Sequence, residues 1–183
     1  MRIITGKYRG KNLFVPEGLH TRPTTARIKE SIFNIIQFDI EGRKVLDMFA
    51  GSGQMGLEAL SRGAESCVFC DTDREALKVI GKNITLCKAE GETKVVTRDA
   101  VSYVSACPKN SFGLIFIDPP YKNGLAEKAI KAVAAVDILQ DGGIIICESE
   151  KDLSVDFLAP PYRVLKEYVY GITKITTITK DSI

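Results

Sequence analysis

Tryptophan is absent from this 183-residue chain, histidine occurs once and cysteine five times. No apolar run approaches the ~18 residues of a membrane helix, which excludes a helical span. The one histidine, His20, sits in a basic stretch with no triad partner in view and is not expected to be catalytic. An odd, modest set of cysteines suits reduced thiols better than a disulfide framework. No charged, apolar and small-residue leader opens the sequence, so the expectation is a cytoplasmic protein. Repeats, low-complexity tracts and linker-like stretches are also missing. With 45% apolar and 26% charged residues, the composition is that of one soluble domain, able to bury roughly 70% of its unfolded surface.

The net charge of +2 hides an asymmetry. Between Met1 and Lys29, seven cations face one anion, Glu17, a balance of +6 that leaves −4 for the other 154 residues. A basic arm on a mildly acidic body suits a polyanion partner, because phosphate neutralisation supplies most sequence-independent affinity. A merely solvated terminus is the equally open alternative.

Residues 1–42 therefore read as a basic appendage, and 43–183 as the main domain. In the appendage, Arg2 to Thr5 and Asn12 to Val15 are extended candidates around the Gly6 to Gly10 turn. Thr24 to Phe38 places Ile28, Ile32, Ile35 and Ile36 at helical spacing after Pro23. Beyond Arg43, β-rich runs alternate with helical ones. Strands are expected at Lys44 to Phe49, Ser66 to Asp71, Thr93 to Thr97, Phe112 to Ile117 and Gly143 to Glu148. Helices are expected at Gln54 to Arg62, Asp73 to Cys87, a short stretch through Tyr103, and Leu125 to Val136. A closing hairpin spans Tyr162 to Tyr170 and Ile172 to Thr179 around Gly171. Near-continuous apolar strands separated by helices predict an α/β, doubly wound, mostly parallel sheet that binds ligands at the carboxyl ends of its strands.

Asp47-Met48-Phe49-Ala50-Gly51-Ser52-Gly53-Gln54-Met55-Gly56 contains G-x-G-x-x-G between a strand and a helix. Gly51 and Gly53 permit a sharp turn and close backbone approach, and the helix presents its first amides. Asp71 follows Gly53 by 18 residues at the next strand end, near the ~20 expected of a ribose-binding acid. A plain glycine turn with a capping Asp is the structural alternative. Asp73 reads as the cap of the next helix. Asp99, past the third strand, either accepts from an adenine amino group, with the Ala100 amide near a ring nitrogen, or caps a short helix.

Asp118-Pro119-Pro120-Tyr121 is the most specific feature. Two prolines fix φ and stiffen the loop. Asp118 and the Pro119 carbonyl can accept both hydrogens of one planar amine, while Tyr121 stacks on the base that carries it, worth ~1–3 kcal/mol.

These motifs resemble the class I S-adenosylmethionine-dependent amino-methyltransferases. More narrowly, the chain resembles the bacterial RsmD family, 16S ribosomal RNA guanine-N2 methyltransferases. The likeness extends over nearly the whole chain, through Gly6-Lys7-Tyr8-Arg9-Gly10, Arg22-Pro23-Thr24-Thr25-Ala26-Arg27-Ile28-Lys29-Glu30, Leu46 to Gly63 and Asp118 to Tyr121. Lys29 stands where the family usually has Arg, and lacks Arg's bidentate fork; Ile172 stands where a polar residue is common. The resemblance implies a Rossmann-like methyltransferase fold with a seven-stranded sheet. It implies methyl transfer to the N2 amine of a guanine in small-subunit RNA, with S-adenosylhomocysteine as product. Carried over, Asp47, Phe49, Ala50, Gly51, Ser52, Gly53 and Gly56 would hold the methionine end of the cofactor, Asp71 its ribose, and Asp99 and Ala100 its adenine. Thr24 and Arg27 would sit over the cofactor. Asp118, Pro119, Pro120 and Tyr121 would hold the guanine, and Lys7, Arg9, Lys11, Arg22 and Lys29 the RNA backbone. The implied protein is a monomer that needs no metal or membrane and meets ribosomal RNA within the small subunit or an assembly intermediate.

Three other readings share parts of this pattern. An adenine-N6 methyltransferase of DNA or RNA uses the same two loops but usually carries a separate recognition region. A nicotinamide oxidoreductase explains the glycine loop and not Asp118 to Tyr121. A non-catalytic RNA-binding factor could keep the fold. Cys67-Val68-Phe69-Cys70 spells C-x-x-C, but strand geometry sends the two thiols to opposite faces, and no second pair completes a zinc site. Ala159-Pro160-Pro161-Tyr162 echoes the catalytic loop without its acid and reads as a turn.

Overall fold

Five β-rich segments stack in parallel because each of the first four is followed by a crossover containing a helix that returns the chain across the sheet. The structure, a computed structural model, describes residues 1–16, 23–121 and 124–182, with 23–25 described by backbone alone. Helix α1 spans Pro23–Ile35. Strands β1 (Lys44–Asp47), β2 (Ser66–Asp71), β3 (Thr93–Thr97), β4 (Phe112–Ile117) and β5 (Leu139–Glu150) alternate with α2 (Gln54–Ser61), α3 (Arg74–Cys87), α4 (Ala100–Val104) and α5 (Leu125–Val136). The hairpin β6 (Tyr162–Tyr170) and β7 (Thr173–Lys180) closes the sheet, turning at Gly171 with φ +64°. The strand order is β3-β2-β1-β4-β5-β7-β6, with β7 inserted antiparallel between β5 and β6. The expected seven-stranded doubly wound sheet is thus present.

Both faces are covered. On one, Phe33, Ile36, Leu57, Leu60 and Ile80 from α1–α3 and the segment after α1 meet Phe69, Phe116 and Ile146 of the sheet. On the other, Ala129, Ile130 and Val133 of α5 pack on Leu46, Ile115, Ile117 and Ile145. Cys67 and Cys70 fall on opposite faces, as strand alternation requires.

Most boundaries fall within two residues of expectation; three features depart further. The two N-terminal strands reduce to a single antiparallel bridge, Arg2 to Asn12. Helix α1 stops before Phe38, which stands 91% exposed. Strand β5 begins earlier, at Leu139 opposite Phe112, because polar Gln140-Asp141-Gly142 masks a register irregularity.

Residues 1–16 are bonded to the body rather than free of it. Glu58 on α2 is fully buried and accepts from Ile4 N (2.8 Å) and Thr5 N (3.1 Å). Ser61 accepts from Lys7 N at its carbonyl (2.8 Å) and from Tyr8 N at its hydroxyl (2.9 Å). A Cβ on Gly6 would lie 1.6 Å from the Ser61 carbonyl oxygen, so glycine alone permits this approach. Ile3, Tyr8 and Leu13 join the same core as α1 and the sheet. Residue 42 therefore marks a change of composition, not a break between cores.

Candidate active site

The loop after β1 is held on both sides: Met48 N donates to Phe116 O (3.0 Å) and Ala50 N to Cys70 O (3.1 Å). Gly51 and Gly53 take φ of +56° and +76°, the left-handed region that disfavours side chains. The Gly51 amide donates to Asp71 Oδ2 (2.8 Å), and Asp73 N to Asp71 Oδ1 (2.9 Å), so the acid at the end of β2 organises both loops. Asp47, at the end of β1, is buried and accepts from Gly56 N at 3.2 Å. Burial lifts its carboxyl pKa to about 7; the Gly56 N–H opposes the rise and Asp71 adds to it.

These strand ends enclose a crevice of about 570 Å³, lined by Asp47 to Ser52, Asp71 to Asp73, Arg98 to Ala100 and Asp118 to Pro120. Its floor carries carboxyl groups from four successive strand ends, with Arg98 as the cation among the lining residues, an acceptor-rich wall suited to a cation that also bears hydroxyl and amine donors. A Cβ at Gly51 would meet nothing within 4 Å, so the backbone here faces open space. S-adenosylmethionine, with its sulfonium, ammonium, ribose hydroxyls and adenine amine, fits this set of acceptors. Asp73 caps α3, accepting from Glu75 N and Ala76 N at 2.8 Å. Asp99 caps α4 through Ser102 N (2.9 Å) and also lines the crevice, so the capping and ligand readings are compatible.

The fourth strand end carries Asp118 to Tyr121. Solvent reaches Asp118 across the open crevice, yet protein crowds it elsewhere. Burial, then Glu148 and Asp47, hold its carboxyl well above the usual carboxylate range. Tyr121 donates to Glu148 Oε1 (2.9 Å), and since its one hydrogen is thus used, it accepts from Thr173 Oγ1 (2.9 Å). Burial foremost keeps its phenol pKa raised. Tyr121, 37% exposed as a residue, is therefore fixed at its hydroxyl end while part of it remains open to solvent. Sequence reasoning missed Glu148 and Thr173. The parallel register Ile117 to Cys147 is the signal that sets Glu148 beside Asp118.

Other expected site residues are placed differently. Gly53 and Gly56 face away from the crevice: a Cβ at Gly56 would lie 2.3 Å from the Phe69 ring and 2.4 Å from Cys67 Sγ, so its role is helix-on-strand packing. Arg27 is exposed on α1 and is not among the described residues lining the crevice. Lys29, expected on the RNA, is only 4% exposed; its Nζ lies 3.0 Å from Glu58 and donates to Arg2 O (3.1 Å). That reading is corrected: in this structure the ammonium is buried and paired, turned away from any phosphate at the surface. Lys7 is exposed but pairs with Glu92 (2.6 Å), Lys11 donates to Leu86 O, and Arg9 is exposed. Arg22 and His20 lie outside the described residues, as does the side chain of Thr24.

The strand order, the antiparallel β7, the glycine loop and the crevice at the strand ends define the class I methyltransferase fold. The Thermus thermophilus 16S rRNA N2 G1207 methyltransferase RsmC, solved with AdoMet and guanosine, shares this fold. Its TM-score is 0.67 at 19% identity, covering 91% of this chain and 45% of that one. The chain belongs to the family described as Conserved hypothetical protein 95, whose profile matches residues 1–179. It is 36% identical to the ribosomal RNA small subunit methyltransferase D of Escherichia coli K12, over 93% of this chain and 85% of that protein. It is 35% identical to the protein of the same name in Haemophilus influenzae, over 94% and 90%. The solved "Putative methyltransferase yhhF from Escherichia coli" superposes with a TM-score of 0.88 at 34% identity, covering 100% and 99%. The expected fold and family are both borne out, and the family is one of S-adenosylmethionine-dependent methyltransferases.

Proposed function

We propose that this protein transfers a methyl group from S-adenosylmethionine to the exocyclic N2 amine of a guanine in small-subunit ribosomal RNA. The observation that carries the reading is the loop Asp118 to Tyr121, whose stiff acceptor pair adjoins an anionic crevice and a tyrosine anchored at its hydroxyl. The names of the relatives support the choice of ribosomal RNA.

When bound, the cofactor supplies an electrophilic methyl group on a sulfonium and leaves as a thioether. Asp47, Asp71 and Asp99 would hold its cationic and hydroxyl-bearing parts, with the backbone from Phe49 to Ser52 close against it. Asp118 and the Pro119 carbonyl accept the two amine hydrogens, favouring a pyramidal nitrogen whose lone pair is no longer shared with the ring. Positioning does most of the work, since near-attack geometry alone is worth ~7 kcal/mol or more. Asp118, ionised beside the bound cation, accepts the proton that the nitrogen sheds as its new N–C bond forms. Tyr121 stacks on the base after it leaves its own stack, which costs a few kcal/mol.

The test is incubation of the protein with labelled cofactor and unmodified small subunits, followed by mass spectrometry of the nucleotides. N2-methylguanine is expected in the wild type; its absence overturns the reading. Asp118→Ala is expected to abolish transfer while calorimetric cofactor binding stays nearly intact, and full residual activity would remove Asp118 from its role.

A further inference from the structure

We propose that Glu148 selects the base: with Asp118 it forms a two-carboxylate clamp for an edge that presents an amine next to a ring N–H, and it rejects an edge whose amine adjoins a ring acceptor. This inference rests on the amine-methyltransferase reading above and adds to it the residue that discriminates among amino-bearing bases.

Placement comes from the sheet. Strands β4 and β5 run parallel with Ile117 opposite Cys147, so Asp118, the first residue past β4, stands beside Glu148, which is still within β5 and paired with Ile175 of β7. They follow the alternation of Phe116 and Ile146, whose face is covered by α1. Together they line a small cavity of about 20 Å³ against Ile28 and Ile32, room for about one water, which adjoins the cofactor crevice through the shared residues Gln54, Met55 and Asp118. A space of this size cannot take a whole base, but its two acids can receive the donor-rich edge of a heterocycle whose ring lies in the adjoining crevice.

The hydrogen bonding leaves acceptors to spare. Tyr121 occupies one oxygen of Glu148, and among the described residues no donor is bonded to the other or to Asp118. The cation among the cavity's lining residues, Lys29, is committed to Glu58 and to Arg2 O and does not neutralise the pair. Two neighbouring carboxyls without a cation are relieved by a ligand that donates to both. Guanine offers three N–H on one edge, two from its N2 amine and one from N1. Adenine and cytosine place a ring acceptor beside the amine, which would face Glu148 lone pair to lone pair and leave both unpaired.

The probe is 2-aminopurine at the target position of a small-subunit RNA fragment, because it keeps the methylatable N2 amine but has a bare N1. Wild-type kcat/KM is expected to favour guanine by about 100-fold or more, below the ~10⁴-fold with which fully buried hydrogen-bonding sites reject a substrate lacking the partner, because Asp118 is open to solvent. In Glu148→Gln, whose amide can donate to a bare N1, the guanine rate should fall and the preference should shrink by about tenfold or more. Tyr121→Phe breaks the contact to Glu148 but keeps the carboxylate, and should slow both substrates alike with the preference intact. Because each preference is a ratio within one enzyme, loss of folded protein does not alter it. An unchanged ratio in Glu148→Gln, or a ratio that collapses equally in Tyr121→Phe, overturns direct base reading by Glu148. Failure of the wild type to modify guanine is a different result: it overturns the amine-methyltransferase reading, and this inference with it.

Discussion

Asp47 holds its carboxyl beneath the glycine loop, and burial lifts its pKa to about 7 against the ordinary value of 3.8. Between those values the native state binds the proton more tightly than the unfolded chain. Asp47 therefore costs stability progressively as pH rises from about 4 to about 7. A cationic ligand reverses the preference by favouring the carboxylate, so binding of S-adenosylmethionine should release a proton below pH 7. Its affinity should rise with pH, by at most about tenfold per unit, and level off above about 7. Asp47→Asn should bind more weakly with that slope removed; titration calorimetry in buffers of different ionisation enthalpy measures both, and an equal slope in the variant would assign the proton elsewhere. At this scale the sequence was most legible where neighbours in the chain are neighbours in the site. Asp118 to Tyr121 is four consecutive residues, whereas Tyr121 and Glu148 are 27 apart and meet only through strand pairing.

Among the elements, strands with β-branched or aromatic runs, β2, β3 and β4, have the boundaries their composition predicts, because nothing else competes for those residues. Helix α5 likewise follows its apolar face. Boundaries failed where tertiary contacts decide them: β5 is extended by pairing with β4 across polar residues, and the N-terminal segment is held by Glu58 and Ser61 instead of by a strand ladder. The role of Gly56 was also misread, since the glycine pattern suggests ligand approach while the atoms nearest its missing Cβ belong to Phe69 and Cys67. Alanine in a helix interior normally gains up to ~1 kcal/mol over glycine. Here both neighbours are buried without slack, so overpacking wins, and Gly56→Ala should lose about 1–3 kcal/mol. Urea denaturation should show a lower midpoint with an unchanged slope; a raised midpoint would mean that Phe69 can yield.

Across the whole molecule, the uneven charge distribution acquires a structural meaning that composition could not supply. Part of the +6 segment is spent internally: Lys29 and Arg62 surround Glu58, which also accepts two backbone amides, so despite burial its carboxyl stays below the ordinary value. That contribution is complete above about pH 4.5 and is lost as pH falls through the lowered native value. The N-terminal segment is consequently a rigid rim bonded to α2, and any RNA that it meets docks on a preformed edge. Arg9 and Lys29 should then separate cleanly. Arg9→Ala removes an exposed cation and should reduce the slope of log affinity against log salt by about 1, with little change in stability. Lys29→Met should leave that slope unchanged but strand the buried Glu58 carboxylate, lowering unfolding free energy by about 3 kcal/mol or more. Filter binding of a small-subunit RNA fragment across a salt series, paired with urea melts of the same proteins, reads both quantities. A salt slope that falls in Lys29→Met would place its ammonium on the RNA after all, which requires the Glu58 pair to open when RNA binds.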